Sequence, residues 1–298
     1  MINDASTDEG DKNGSASPLR SAPAPARPPA LHARVRVIHD DPVLLVLDKP
    51  PGILSHPNRT EEKSFKALFR ARYDLEREAY FVEDTDGKTV QLYLVHRLDQ
   101  ETSGLIVLAR RPQAASDLKE ALYRREVHKE YRALVLGIPT PARGTWSDCL
   151  DKRDSGGQAR VVVVSGRPNA VTEYDTVKVF AGARAALVRL DPETGRTHQL
   201  RVQTSSRGLP IAGDQRYGDA AANRTLETQI GLKRMFLHAY RLELRHPTTG
   251  HRLVLTAELR GPLADPLKKL EAVTAPLYTP STRVRRGSSA GSGPSRGR

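Results

Sequence analysis

His96-Arg97-Leu98-Asp99-Gln100-Glu101-Thr102-Ser103-Gly104-Leu105 sets one carboxylate between an arginine and a Thr-Ser-Gly turn. The flanks are apolar: Leu92, Tyr93, Leu94 and Val95 precede it, and Leu105, Ile106, Val107 and Leu108 follow. Such runs read as buried strands, and a polar loop between two of them is held on a rigid support. A carboxylate in that setting loses hydration and stays ionised only where cations or hydrogen bonds compensate. Asp99 is therefore the first candidate for chemistry. The competing reading is a turn cap, in which the Asp oxygen accepts backbone N–H groups.

A second string, Thr194-Gly195-Arg196-Thr197-His198-Gln199-Leu200-Arg201, lies far along the chain, with Gly213-Asp214 and Tyr217-Gly218 after it. The alternation from Thr197 to Val202 predicts a half-buried strand over 197–203, with Gln199 and Arg201 on one face and His198 and Leu200 on the other. Arg196 stands at its mouth, after a glycine suited to a tight turn. A solvated basic edge strand would show the same pattern. Two weaker strings are Asp48-Lys49-Pro50-Pro51-Gly52, a turn after the apolar run 43–47, and Lys129-Glu130-Tyr131-Arg132-Ala133, a strand start in which Tyr131 suits core packing.

His96 to Gly104 does not match a protein-kinase catalytic loop, which has Asp directly after His-Arg. It resembles the HRLDxxTSG signature of the RluA family of RNA pseudouridine synthases. Thr194 to Arg201 resembles that family's TGRTHQ-aliphatic-R motif, and the Lys49 and Tyr131 strings resemble its Lys-Pro-x-Gly and Lys-x-Tyr-x-Ala segments. The four occur in the family's order. One departure is Val202-Gln203, where relatives usually carry Val-His.

The resemblance implies an α+β pseudouridine synthase fold, a mixed, largely antiparallel sheet with a central RNA-binding cleft and a few flanking helices. It implies Asp99 as the catalytic carboxylate, Arg196 as its ion-pair partner and Tyr131 as the ring that stacks on the target base. The resemblance also implies Arg97 as the side chain that fills the stack vacated by the flipped base, with holding phosphate as the other reading, and His96, Lys49, Thr102, Gln199 and Arg201 are the remaining expected RNA contacts. The reaction isomerises uridine, so no cofactor and no metal is expected. The implied substrates are ribosomal RNA, transfer RNA or both. The N-terminal residues leave no room for the S4 RNA-binding domain of some relatives, which tilts the expectation towards transfer RNA or a dual target.

Composition ranks partners without choosing one. Lys plus Arg number 47 against 35 Asp plus Glu, a net charge of +12. Polyphosphate is attracted to such a chain by a salt-dependent, sequence-independent term, although anionic membranes would be too. Residues 1–30 are rich in Ser, Ala and Pro, with Asp4, Asp8, Glu9 and Asp11 crowding their start. They read as a disordered tail rather than a signal or transit peptide. The stretch 279–298, with five arginines and no acid, reads as a disordered basic tail. Residues 31–278 form the expected catalytic domain. No apolar run reaches the roughly 20 residues of a membrane span. Cys149 is the one cysteine, which excludes an intramolecular disulfide and a cysteine zinc site. His96, His128, His198 and His238 show no metal-binding spacing. A cytoplasmic monomer is the simplest expectation.

Strands are expected at 34–38, 43–47, 104–109, 130–136, 160–164, 171–180, 184–190, 197–203, 235–245 and 252–258. Helices are expected from Pro112, with Ala115, Leu118 and Leu122 on one face, and over Ser64–Leu75; residues 74–92 read as a polar loop. Two rival functions remain. A non-catalytic RNA-binding or ribosome-assembly protein has no use for a buried ion pair. A glycoside hydrolase needs a second carboxylate, and Glu101, two residues along, is poorly placed to serve.

Overall fold

The computed structural model describes residues 28–57, 66–155, 158–274 and 276–277. The expected tails, apart from 28–30, lie outside the described residues. The first half of the chain runs β1 (Arg36–Asp40), β2 (Leu44–Lys49), β3 (Arg72–Asp74), β4 (Ala79–Glu83), β5 (Thr89–Leu94), β6 (Ser103–Ala109), α1 (Pro112–Tyr123) and β7 (His128–Leu136). The second half runs β8 (Arg143–Ser155), β9 (Gln158–Val164), β10 (Ala170–Phe180), β11 (Ala185–Pro192), α2 (Gln199–Ser206), α3 (Ala220–Ile230), β12 (Leu237–Arg245), β13 (Arg252–Thr256) and α4 (Ala264–Leu270).

The two unbroken apolar runs are β2 and β6, paired antiparallel from Leu44↔Ala109 to Lys49↔Gly104. Every residue of β6 is buried, as its continuous apolar sequence requires. One face of the pair carries Leu45, Leu47, Ile106 and Leu108 against Phe69, Tyr73, Tyr80 and Leu92. The other carries Leu44, Val46, Leu105 and Val107 against Ala114, Ala115 and Leu118 of α1. Each large aliphatic side chain so buried contributes about 1.5–3 kcal/mol, so the ends of β6 are firmly held.

The long sheet path is β3-β4-β5-β6-β12-β7-β11-β10-β8-β9, with β1 and β2 attached at β6 and β13 at β12. The named strand pairs are antiparallel except β6 with β12, joined in parallel at His238↔Ser103 and Ala239↔Gly104. That junction lies directly after Asp99. Gly104 is required there: its φ is +110°, and a Cβ would sit 2.2 Å from the Ala239 carbonyl oxygen. The α+β expectation holds.

Three local expectations fail. Residues 199–206 form helix α2, where 197–203 reads as a strand. Polar and apolar residues alternate there because Gln199, Arg201 and Gln203 are buried beside Leu200 and Val202, each with internal polar partners. Alternation normally marks one wet face, but here the helix is buried on every side from Gln199 to Thr204. Over the described part of Ser64–Leu75 there is no helix. Ala67 and Phe69 instead make isolated bridges to Leu54 and Leu31, and Arg72–Asp74 is β3. Pairing of β3 with β4 overrides the helical spacing of Leu68, Phe69 and Arg72.

The 74–92 loop is in fact the β4–β5 hairpin, closed where Asp84 accepts the amides of Asp86 and Lys88 and Gly87 takes φ +76°. Asp86-Gly87 was a readable turn signal. Strand β8 and helices α3 and α4 went unread too, although α3 is marked by Asp219 as N-cap and Gly231 in the left-handed conformation after its end.

Candidate active site

Asp99 sits in the segment between β5 and β6, where the Thr102 amide donates to the Asp99 carbonyl at 3.1 Å and closes the turn. A brace below fixes that turn. Lys49, wholly buried at the end of β2, donates from Nζ to the carbonyls of Pro50 (3.1 Å), Ile53 (2.7 Å) and Gln100 (2.9 Å). The Gly52 amide donates to the same Gln100 oxygen at 2.9 Å, and Gln100 Nε2 returns a bond to the Gly52 carbonyl at 3.2 Å. Three carbonyls are the acceptor set of an ammonium. Burial nevertheless pulls the Lys49 pKa down to about 7, against the carboxylates of Glu101 and Asp99 and alongside Arg234. Lys49 is thus a brace for the Asp99 turn, buried and outside the cleft lining that holds the other expected contacts.

The cation facing Asp99 is Arg201, not Arg196. Arg201 Nη1 lies 3.2 Å from Asp99 Oδ2. Its other two nitrogens form a fork on Asp214, Nε to Oδ2 at 2.8 Å and Nη2 to Oδ1 at 2.9 Å. Asp214 also accepts the amides of Arg216 (2.8 Å) and Tyr217 (3.0 Å). Burial opposes the Arg201 charge, but the bonds to Asp214 and the nearness of Asp99 outweigh it and raise its pKa. Burial likewise pushes Asp214 up and the Arg201 bonds bring it below the usual carboxylate value. Asp214 therefore aims a permanently charged, planar guanidinium at Asp99.

Arg196 is exposed at the cleft rim, donating from Nε to the Asn169 carbonyl at 3.2 Å. The motif resemblance assigns the Asp99 pairing to Arg196, whereas the guanidinium in contact with Asp99 lies five residues further on, at Arg201. A helix starting at Gln199 carries Arg201 inward, while Arg196 stays on the preceding turn.

Gln199 and Gln203 tie α2 to the sheet. Gln199 Nε2 donates to the Val171 carbonyl (3.0 Å) and Thr172 Oγ1 (2.9 Å), and its Oε1 accepts from Thr194 (2.7 Å) and the Arg196 amide (3.1 Å). All four bonding sites are internal, so Gln199, which lines the cleft, is also a structural tie between α2 and the sheet. Gln203, completely buried, accepts from Thr172 at 2.7 Å and donates to Asp148 at 2.8 Å. The departure from Val-His thus falls on an internal strut of the fold.

One residue given no site role by the sequence, His198, enters the site. His198 takes φ +54° at the start of α2, an uncommon conformation for a non-glycine residue. Its Nδ1 lies 2.8 Å from Tyr217 Oη, and its Nε2 lies 3.9 Å from Asp99 Oδ2. Burial lowers its pKa, partly offset by Asp99 and reinforced by Arg201. Backbone strain beside a candidate catalytic group was invisible in the string Thr-His-Gln.

These groups open onto a cleft of about 770 Å³ that contains eight of the nine expected site residues, His96, Arg97, Asp99, Thr102, Tyr131, Arg196, Gln199 and Arg201. Tyr131 comes from β7, its ring packed between two core clusters. Burial and the Asp99 charge push its phenol well above its ordinary pKa. Thr102 is buried, Arg97 exposed. Desolvation and nearby Lys129 bring His96 down to about 4, so it is neutral, and its Nε2 accepts the Val107 amide at 3.2 Å.

The family model described as RNA pseudouridylate synthase matches residues 43–206, which carry Asp99, Tyr131 and Arg201. This chain belongs to the RNA pseudouridylate synthase family. Isomerisation of uridine in RNA is its activity. The chain is 36% identical over 245 residues to the ribosomal large subunit pseudouridine synthase C of Haemophilus ducreyi, covering 79% of this chain and 69% of that one. It is 37% identical over 238 residues to the protein of that name from Escherichia coli K12, covering 78% and 69%. It also resembles the solved structure of human RNA pseudouridylate synthase domain containing 4, at 26% identity and a TM-score of 0.57, over 78% of this chain and 92% of that one.

Within this synthase, one group has the composition of a metal site among the described residues, His128, Glu130 and Asp191. Glu130 already pairs with Arg132 at 2.7 Å and Asp191 with Arg189 at 2.9 Å. Their charges are met by guanidinium groups. Among the described residues no helix is long and apolar enough to cross a membrane.

Proposed function

We propose that this chain forms pseudouridine in large-subunit ribosomal RNA, with Asp99 as the catalytic carboxylate. The observation that carries the site assignment is the Asp99–Arg201–Asp214 row. A carboxylate with one side open to a cleft meets a guanidinium that a buried second carboxylate locks in place. In the reaction the N1–C1′ bond breaks, the uracil turns, and C5 bonds to C1′. Asp99 serves as nucleophile or as the stabiliser of positive charge as N1 departs. The target base must leave its stack, and Tyr131 at the cleft wall supplies a face for it. Arg97 and Arg196, exposed at the rim, suit the vacated stack and the phosphates.

The relatives' shared name supports the ribosomal substrate, and a net charge of +12 supports a polyanionic partner. The enzyme acts as a monomer in the cytoplasm, and residues 279–298 add a basic arm to the 31–278 catalytic domain. Mapping pseudouridine in total RNA from cells with and without the gene tests the reading. One or a few uridines should lose the mark, restored by wild type and not by Asp99→Asn. Restoration by Asp99→Asn removes Asp99 from the mechanism. Loss confined to transfer RNA replaces the proposed substrate.

A further inference from the structure

Tyr123, the last residue of α1, is 83% exposed, the most exposed large apolar side chain among the described residues. It lies off the buried face of its helix, which is Ala114, Ala115 and Leu118. It is nonetheless part of the wall of the Asp99 cleft, together with Leu122, Arg125 and Lys129. We propose that Tyr123 is a stacking platform for an unpaired nucleobase next to the target uridine in the bound RNA. This rests on the synthase reading and adds a second base-binding position to the one at Tyr131.

Three observations carry it. The backbone beneath the ring is fixed: the Arg125 amide bonds the Leu122 carbonyl at 3.2 Å and the Glu126 amide bonds the Ala121 carbonyl at 2.9 Å, with Arg125 at φ +62°. Arg125 also forms an ion pair with Glu193, from the loop between β11 and α2, so the end of α1 is tied to the opposite wall of the same cleft. A ring on an anchored backbone has only two side-chain torsions to lose on stacking.

The rim is also the right charge for the backbone that would carry such a base. Arg97, Arg125, Lys129 and Arg196 line the cleft with Tyr123, against the carboxylates Asp99 and Glu193. An aromatic face among cations is the pattern by which single-stranded nucleic acid is held without sequence readout. Finally, among the described residues the ring finds no packing role that would explain it. The core beside α1 is filled by Ala121 and Leu122 at this end of the helix.

The test uses the full chain and an unmodified transcript of large-subunit ribosomal RNA. Tyr123→Ala should raise KM for pseudouridine formation about tenfold, as loss of one base stack does, while kcat changes little. Tyr123→Phe should match wild type, and Tyr123→Leu should resemble Tyr123→Ala because it keeps apolar area but has no π face. In parallel, a single-stranded RNA bearing 2-aminopurine should be quenched by wild type and Tyr123→Phe and not by Tyr123→Ala. An unchanged KM in Tyr123→Ala, or Tyr123→Leu as good as Tyr123→Phe, overturns the platform. So does a change of oligomeric state without a change in RNA binding, which would make this face a contact between copies. If wild type quenches the probe but makes no pseudouridine on any RNA, the catalytic reading fails while the platform stands.

Discussion

Arg201 shows how much one side chain can decide. It holds two carboxylates at once, Asp99 from 102 residues away and Asp214 from 13. Removing it leaves a nearly buried Asp214 with no cation, a loss of about 3–5 kcal/mol by the behaviour of broken buried pairs. Arg201→Ala should therefore abolish turnover and lower thermal stability together. Arg201→Lys keeps the charge but not the fork, and should lose at least about tenfold in rate at saturating RNA. Arg196→Ala should instead keep the saturated rate and weaken RNA binding, most clearly at low salt, because its guanidinium is exposed. Single-turnover rates and binding curves for the three variants separate the roles. Equal inactivity of Arg196→Ala would return Arg196 to the place that the motif resemblance assigns it.

Elements meet at the turn that carries Asp99, and Lys49 is where β2 supports it. Lys49→Met is close in shape, yet it orphans the buried Ile53 carbonyl and leaves the Gln100 carbonyl with the Gly52 amide alone. An orphaned buried group costs about 1–3 kcal/mol, so the variant should lose about that much in denaturant unfolding. Activity per folded molecule should fall as well, with RNA affinity nearly kept, since the ammonium is buried and faces the turn. A fall in affinity alone would make Lys49 an RNA contact after all. This role was only half readable. Asp-Lys-Pro-Pro-Gly announces a turn after a buried strand, but the three carbonyls that receive Nζ belong to two separate loops. Helix α2 hid itself more completely, because internal hydrogen bonds let glutamine and arginine sit where a helix ordinarily carries leucine.

Across the whole molecule, the parallel β6–β12 junction joins the half built on β2 and β6 to the half built on β7, β10 and β11. Asp99 precedes that seam and Tyr131 follows it on β7, so closeness of the backbones at the seam sets their relative placement. Gly104→Ala tests the point. Its Cβ would meet Ala239 backbone atoms at 2.2–2.7 Å, in a conformation that alanine rarely takes. Rigid backbone on both sides leaves no relaxation, and the loss should be about 3 kcal/mol or more. A melting temperature within a degree of wild type would show that the seam can open without harm.

The sequence by itself determined what depends on near neighbours. Unbroken apolar runs could only be strands covered on both faces, and the polar insert between two of them could only be a loop at their ends. Asp99 and its Thr-Ser-Gly turn were legible for that reason, and the family motif named the chemistry. Only the tertiary structure decided which cation meets the carboxylate, which polar residues are struts and which line the cleft. Those outcomes turn on hydrogen bonds between segments far apart in the chain, such as Arg201 with Asp99 and Gln203 with Asp148. A buried polar residue satisfied from a distance is locally identical to one waiting for solvent or substrate, and nothing short of the folded chain distinguishes them.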